Sequence, residues 1–168
     1  HDKAQFCQAV DLPLAPPADF RVIENIAEFD AAHLELRTQH AVLCIKPAES
    51  VYGLGFSVID ENRSSAQILL DGTPYTIGFA DLRRGLAEMQ TFRTMLLMEY
   101  LDGHEYSVDC VANYGELVCA VPRKKSLLAG HGQTIELHDA ILQSTRKLAA
   151  DYGLNGIFNV QFREGKNG

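Results

Sequence analysis

The 168-residue sequence has little positive charge, few cysteines and no long apolar run. Its 15 Lys and Arg residues face 22 Asp and Glu residues, and the formal net charge of -7 argues against a protein that coats a nucleic-acid backbone. No apolar stretch approaches the roughly 18 to 20 residues that a membrane-spanning helix needs, and the polar start at His1 does not resemble a signal peptide. We therefore expect a soluble, cytoplasmic protein that binds neither nucleic acid nor a membrane.

The cysteines do not form any recognisable site. All four are scattered singly in apolar stretches, at Cys7, Cys44, Cys110 and Cys119, and the six histidines are equally dispersed. Because no spacing suits a zinc site or a redox dithiol, we expect reduced core cysteines and no metal bound through His or Cys. With 46% hydrophobic and 22% charged residues, the composition is typical of one globular domain or two small lobes.

Apolar periodicity predicts helices separated by short strands. Helical stripes occur in residues 3–10, 26–36, 79–89 and 137–152, and strand-like runs occur at 41–45, 56–59, 95–98, 106–111, 117–121 and 157–162. The turn at Asn113-Tyr114-Gly115 is too short for a helical crossover, so residues 104–122 are predicted to form an antiparallel hairpin. The polar segment 61–78 is interpreted as a surface excursion. The pattern is α+β, without a repeat or a dinucleotide-binding glycine motif.

The first candidate site is a lysine at the end of an apolar strand. Lys46 closes the run Cys44-Ile45-Lys46-Pro47, and the loop Tyr52-Gly53-Leu54-Gly55 follows it. Glycines let backbone N–H groups approach an anion while a lysine supplies a point charge, so the pattern predicts a phosphate clamp. The alternative is an ordinary solvated lysine at a strand end.

Two later strands carry polar residues on one face. Glu105, Ser107 and Asp109 alternate along a strand and could hydrogen-bond a polyol, or they form a merely solvated face. Asn159 and Gln161 share one face of an otherwise apolar strand. Their carboxamides either face a ligand or are hydrogen-bonded within the protein.

A basic run, Arg123-Lys124-Lys125, lies just past the hairpin. It could contact a phosphate or a substrate carboxylate, and the alternative is a solvated basic loop.

The order of these motifs along nearly the whole chain resembles the ATP-grasp superfamily. Asp2-Lys3 is followed by Ile45-Lys46-Pro47, the glycine loop, MEYLDGHEYSVD, PRKK and GLNGIFNVQF. The stretch MEYL-x-G-x-E-YSVD and the closing G-x-FNVQF resemble carbamoyl-phosphate synthetase large subunits and related carboxylate-amine ligases. The glycine loop VYGLGF looks more like the ATP-grasp proteins of tellurium-resistance gene clusters.

The resemblance implies an α+β ATP-grasp fold with a nucleotide between two lobes. We expect an N-terminal helix and linker over residues 1–18, a first lobe over 19–94 and a second lobe over 95–168. In the family a further strand bearing Glu-x-Asn-Pro-Arg holds the magnesium ions, and an additional domain precedes the position of Lys3. Neither is in this sequence, so we expect a fragment of a longer enzyme that is inactive alone, with a second lobe truncated before the last metal-binding strand.

The resemblance also assigns roles to individual residues. Lys3 and Lys46 would contact ATP phosphates, and the loop 49–55 would fold over them. The hinge would meet the adenine edge largely through backbone groups, Glu105 would bind the ribose hydroxyls, and Gln161 would lie at the magnesium and phosphate end. The remaining candidates are Tyr52, Gly53 and Gly55 in the loop, Glu99, Tyr100 and Leu101 in the hinge, and Arg123 and Lys124 for phosphate or substrate.

The implied activity is that of an ATP- and Mg²⁺-dependent carboxylate-amine ligase. ATP would activate an unidentified small carboxylate as an acylphosphate, which an amine or another nucleophile then attacks. One alternative is a non-catalytic nucleotide-binding or regulatory module, and another is a small interaction domain with coincidental motifs. The sequence does not report the oligomeric state, and a homodimer is one arrangement open to it.

Overall fold

The computed structural model describes residues 2–51, 53–126 and 132–165. Over these residues the chain forms five helices and nine strands, and none of the helices is long and apolar enough to cross a membrane. In chain order the elements are α1 (Lys3–Ala9), β1 (Phe20–Ile23), α2 (Ile26–Arg37), β2 (Leu43–Pro47), β3 (Ser57–Asp60), α3 (Ser65–Leu70), β4 (Thr76–Gly78), α4 (Phe79–Ala87), β5 (Met95–Glu99), β6 (Glu105–Asn113), β7 (Glu116–Lys125), β8 (Gln133–Ile135), α5 (Asp139–Asp151) and β9 (Gly156–Arg163).

The chain divides into two compact units. The first unit contains the N-terminal segment through Ala9 together with Ala18–Tyr100, and the second contains Val10–Pro17 and the chain from Leu101 onward. This division differs from the expected boundary before Met95. Strand β5 is hydrogen-bonded on both sides, to β1 and to β2, and it therefore belongs to the sheet of the first unit.

The first unit is built on a five-stranded sheet in the order β1-β5-β2-β3-β4. All neighbours are antiparallel except β3 and β4. One face packs against α2, where Phe29 and Leu36 join Leu97 of β5 in a cluster with fully buried side chains. Each such side chain contributes about 1.5 to 3 kcal/mol on burial. The other face packs against α1 through Ala4, with Leu96 of β5 in the same cluster.

The polar segment 61–78, for which the sequence predicts a surface excursion without a defined shape, contains α3 and β4. Ser64 caps α3 by accepting a hydrogen bond from the Gln67 backbone N–H, and the Gln67 side chain accepts one from the Ser64 N–H in return. Ile68 is buried, and β4 pairs parallel to β3. A capping box and one buried side chain thus anchor a segment whose composition predicts a loop.

The second unit is a four-stranded antiparallel sheet in the order β8-β7-β6-β9. The predicted hairpin is confirmed: β6 pairs with β7, and the turn places Tyr114 and Gly115 at φ values of 44° and 91°. One face of the sheet contributes Tyr106 and Val108 to a buried cluster with Ile141 of α5. Because successive strand residues point to opposite faces, the residues between them form a second, polar face.

The cysteine prediction is confirmed in part. All four are free thiols, and Cys44 and Cys110 are buried as expected. Cys119 is exposed and Cys7 is only half-buried, so the expectation of four core residues is wrong for these two. Cys119 pairs with Val111, itself an exposed residue of β6, on the face away from α5.

Candidate functional site

Two lysines lie together at the end of β2 in the first unit. The Lys3 backbone N–H donates to the Ala48 carbonyl at 3.0 Å, and this bond fixes the start of α1 beside the strand end. The Lys3 ammonium then donates to the carbonyl and hydroxyl oxygens of Ser50, at 2.8 and 3.1 Å. Lys46 precedes Ala48 by two residues and therefore faces the same side of the sheet.

The electrostatics of this pair favour a bound anion. Burial, followed by the nearby charge of Lys46, lowers the pKa of Lys3. The carboxylates of Asp2 and Glu49 raise that pKa by smaller amounts. Among the residues that the structure describes, neither lysine forms an ion pair with a carboxylate. A phosphate placed here would supply the missing negative charge.

The glycine loop follows β2, the strand that contains Lys46. Gly53 and Gly55 have φ values of 71° and 82°, a backbone conformation that residues with a side chain rarely adopt. A Cβ on Gly55 would come within 2.8 Å of the Pro47 ring, so glycine is required there for close packing as well. Tyr52, the remaining loop candidate, lies outside the described residues.

The hinge candidates begin with Glu99, the last residue of β5, and continue with Tyr100 and Leu101. The Glu99 carboxylate accepts from the Asp19 backbone N–H at 3.1 Å and contacts the His40 ring at 3.0 Å, so its side chain is engaged within the first unit. The Glu99 and Tyr100 backbone N–H groups donate to the Asp19 and Val42 carbonyls. Within the described chain, the Leu101 N–H makes no hydrogen bond. Of the three hinge N–H groups, this one can donate to a ligand.

In the second unit, the other candidates meet on the sheet face opposite α5. We call it the polar face, and the pairing of β6 with β7 and β9 aligns its residues in rows. Its residues are Glu105, Ser107 and Asp109 of β6, Arg123 and Lys125 of β7, and Asn159, Gln161 and Arg163 of β9.

The cations of the polar face are paired with its acids. Arg123 contacts the Asp109 carboxylate at 2.8 Å, and Lys125 contacts the Glu105 carboxylate. Hydrogen bonds from Arg123 and Asn159 lower the pKa of Asp109. The Arg123 Nε is buried and has no hydrogen-bond partner within the described residues. A ligand oxygen could accept a hydrogen bond from this unsatisfied donor.

The two carboxamides of β9 have different environments. The Asn159 amide donates to the Ser107 hydroxyl at 2.9 Å and to Asp109 at 2.8 Å, so it is bonded within the protein. Gln161 lies across from Ser107 in the neighbouring strand and is exposed. Its amide makes no hydrogen bond to any described residue. Asn159 is therefore hydrogen-bonded within the protein, whereas for Gln161 a ligand-facing role stays a prediction.

Lys124 does not lie with the other candidates. It pairs with Tyr106 across the hairpin and so faces the α5 side, where its ammonium lies 3.1 Å from Glu136 and 5.6 Å from the Tyr106 ring centre. Lys125, two residues after Arg123, is the second cation of the polar face. Once Arg123 is assigned to a face, strand alternation alone selects Lys125 over Lys124.

The group around Lys124 is a hydrogen-bonded network. The Tyr106 hydroxyl lies 2.9 Å from a carboxylate oxygen of Glu136 and 2.9 Å from one of Glu164. Burial and these carboxylates raise the pKa of Tyr106 to about 12. Burial alone would raise the pKa of Glu164, but hydrogen bonds from His104 and Tyr106 lower it to about 2. Lys124 is thus held in a network with Glu136, Tyr106 and Glu164 on the α5 side of the sheet.

The described residues contain no group of three or more His, Cys, Asp or Glu side chains that could hold a metal ion. Gln161 thus stands alone as a metal-side candidate in this part of the chain.

A family model described as "ATP-grasp in the biosynthetic pathway with Ter operon" matches residues 91–168. No curated protein matches the sequence. The matched range includes the hinge, the whole polar face and the basic run.

Solved structures of ATP-dependent ligases share the fold. D-alanyl-alanine synthetase A from Vibrio cholerae is 13% identical with a TM-score of 0.64, over 99% of this chain and 52% of that one. L-amino acid ligase from Bacillus licheniformis is 12% identical with a TM-score of 0.59, over 99% of this chain and 37% of the ligase. The ADP complex of N5-carboxyaminoimidazole ribonucleotide synthetase is 17% identical with a TM-score of 0.62, over 92% of this chain and 38% of the synthetase.

The chain thus spans about a third to a half of the length of these ligases. The family model agrees with the resemblance to tellurium-associated ATP-grasp proteins over residues 91–168, which are less than half of the chain. The chain has an α+β fold similar to that of these ligases, as the sequence predicted.

Proposed function

We propose that this chain is the ATP-binding core of a ligase that activates a carboxylate as an acylphosphate. The observation that carries the proposal is the pair Lys3 and Lys46, two lysines on the same side of the sheet whose charges interact and that form no ion pair with a carboxylate among the described residues. Like charges repel, and the lowered pKa of Lys3 reflects this neighbour as well as burial. A polyphosphate is the kind of ligand that would relieve the repulsion.

The loop and the hinge would complete the first unit's share of the site. Gly53 and Gly55 let the loop after β2 bring backbone N–H groups close to the phosphates. The free N–H of Leu101 would donate to the adenine edge, as the resemblance implies for the hinge. Glu99 would take part through its backbone, because its carboxylate is already held by Asp19 and His40.

The polar face would bind the ribose and the reacting end. Glu105 would accept hydrogen bonds from the ribose hydroxyls, and the orphaned Arg123 Nε would donate to a phosphate or a substrate carboxylate. Each role requires a change of partner, because Glu105 now contacts Lys125 and Arg123 now contacts Asp109. Lys124 has no part in this arrangement.

The proposed reaction has two steps. A carboxylate oxygen of the substrate attacks the γ-phosphorus of ATP, a new O–P bond forms, and the bond to the bridging oxygen breaks to release ADP. An amine then attacks the acyl carbon and displaces inorganic phosphate. Lysine and arginine charges would stabilise the transferring phosphoryl group. The similar structures include amino acid ligases and an ADP complex, which supports ATP and a small carboxylate as reactants.

Magnesium would neutralise phosphate charge and orient the phosphoryl group. Gln161 is the described residue proposed for this end, and its amide oxygen is a ligand type that Mg²⁺ accepts. A neutral amide alone does not make a magnesium site, and the described residues contain no group of three or more His, Cys, Asp or Glu side chains that could hold a metal ion. We therefore expect the 168-residue chain to bind ATP with little magnesium dependence and without turnover.

Calorimetric titration with ATP tests the proposal. Replacing Lys46 by Ala should weaken binding by about 1.5 to 3 kcal/mol, the range for a hydrogen bond to a charged group. The matched control is Lys147→Ala, which removes an exposed lysine whose partner is Asp151 in α5, and it should leave the affinity unchanged. Equal ATP affinity in the wild type and Lys46→Ala would refute the phosphate assignment. ATP binding by the full-length protein without turnover would favour the regulatory module instead.

A further inference from the structure

The first unit contains a cavity of about 440 Å³, and of its lining residues only Gly55 belongs to the proposed nucleotide site. Its volume lies within the range of small-molecule pockets. Most of its lining is apolar and comes from the sheet and α4, including Ile77, Leu82 and Leu86. Met89, 51% exposed, lies where the cavity meets the solvent.

The cavity and the lysine pair lie on opposite faces of the sheet. Ile45 lines the cavity, whereas the next residue along β2 is Lys46. Neighbouring residues of a strand point to opposite faces, so a molecule in the cavity cannot reach the Lys46 ammonium through the sheet. The cavity is therefore a separate site within the first unit.

Arg93 is the one charged residue among the described residues that line the cavity. It is exposed, and it makes no ion pair or hydrogen bond to any described residue. This sets it apart from Arg83 and Arg84 of α4, which pair with Asp30 and Asp81. The Arg93 guanidinium also lies close to Gly55, since a Cβ there would be 3.2 Å from its Nη2. Its position is thus beside the cavity wall rather than out in solvent.

We propose that this cavity binds a small amphipathic carboxylate. Its apolar body fills the space between Leu82, Leu86 and Ile77, and its carboxylate pairs with Arg93 at the mouth. A planar guanidinium binds a carboxylate through two parallel hydrogen bonds, which suits this anion better than a spherical one. The burial of the apolar body supplies affinity, and the ion pair supplies the preference for an acid over an alcohol or an amine.

The experiment uses octanoate as the probe, with octanol and octylamine for comparison, added to the 168-residue chain. Binding is followed through the methyl resonances of Leu82, Leu86 and Ile77 by NMR. We expect octanoate to bind most tightly and to shift these resonances. Arg93→Gln should weaken octanoate by about tenfold, the order expected for a charge-assisted hydrogen bond, and leave octanol unchanged. Arg83 lies in α4 and already pairs with Asp30, so Arg83→Gln should not change octanoate binding.

Two further variants locate the site. Met89→Trp places a larger side chain at the solvent-exposed rim and should block both octanoate and octanol without disturbing the buried core. Lys46→Ala should leave octanoate binding intact even if ATP binding is lost, which separates this proposal from the proposed nucleotide function. Absence of octanoate binding to the wild-type chain would overturn the proposal. So would binding that survives both Arg93→Gln and Met89→Trp, or that disappears with Lys46→Ala.

Discussion

The lysine pair of the first unit and the polar face of the second carry similar cations in opposite electrostatic states. Lys3 and Lys46 lie beside each other without a carboxylate partner in the described chain. Arg123 and Lys125 are each in contact with a carboxylate, Asp109 and Glu105. The lysine pair therefore carries positive charge that no described carboxylate neutralises, whereas the charges of Arg123 and Lys125 are neutralised by neighbouring carboxylates.

This difference changes what a ligand must do in each unit. A phosphate at the lysine pair relieves repulsion and breaks no ion pair, although it competes with the hydrogen bonds from the Lys3 ammonium to Ser50. A ligand at the polar face replaces existing ion pairs, so its net gain is the difference between two similar interactions. Cations of the same type are therefore expected to contribute unequally, and the predictions that follow test this inequality.

Among the residues of the polar face, the largest effect is expected at Glu105, because two ribose hydroxyls would add donors to a carboxylate that now contacts Lys125. The wild-type chain should prefer ATP over its dideoxyribose analogue by about 1 to 3 kcal/mol, and Glu105→Ala should abolish most of that preference. Competition titrations with the two nucleotides measure it. Glu116→Ala removes an exposed carboxylate at the far end of the same hairpin and is the control. The same preference in the wild type and Glu105→Ala would place Glu105 on a merely solvated face.

Substitutions at Arg123 and Lys124 should have different effects on ligand affinity, although the two residues are neighbours in sequence. Arg123→Gln should weaken ATP or substrate binding by about 1 to 2 kcal/mol, below the full value for a charged hydrogen bond because the pair with Asp109 is given up. Lys124→Gln should not change the affinity, since its side chain faces Tyr106 and Glu136. Affinity loss in Lys124→Gln alone would contradict the assignment of faces.

A smaller effect of opposite sign is expected at Asp109. Asp109→Asn removes the charge that now pairs with Arg123 but keeps a group that Asn159 can contact. ATP should bind up to about fivefold more tightly at low salt, with the gain fading as salt screens the exposed pair. Titrations at two ionic strengths give the measurement. Weaker binding would mean that Asp109 itself contacts the ligand or its metal.

The smallest effect at neutral pH is expected at Glu164. Its pKa is about 2 in the folded chain against an ordinary value of 4.5, so the folded state binds fewer protons than the unfolded state between these values. The stability that Glu164 provides is fully present above about pH 4.5 and is lost as the pH falls toward 2. Urea unfolding should show this loss, and Glu164→Gln should flatten the profile across the interval. An unchanged profile would remove Glu164 from the network.

The sequence predicted the elements whose residues carry a local signal. The helical stripe ending near Tyr152 became α5, and the short turn at Asn113 became the hairpin, because periodicity and turn chemistry are both local. Three-residue strands gave no such signal. In β8, Gln133, Thr134 and Ile135 are all exposed, and pairing with β7 alone makes them a strand.

The site shows the same division between local and non-local information. Lys46 and the glycine loop are adjacent in sequence, so their pattern was visible there. Strand alternation places Lys125 on the same face as Arg123, but the pairing of that face with Glu105 and Asp109 depends on the register of β7 against β6, which is set by packing over the whole sheet. The engagement of the Glu99 carboxylate depends on Asp19 and His40, which are distant from it in sequence, and no sequence pattern indicated these contacts.

The most direct test of the central claim is a titration of the isotopically labelled chain with ATP, followed residue by residue in NMR spectra. The account predicts that resonances of Lys46, Gly55, Leu101 and Gln161 shift together with one affinity, while those of Lys124 and Glu136 stay in place. Shifts centred on Tyr106, Lys124 and Glu136 instead, or no shift at Lys46 under saturating ATP, would contradict it.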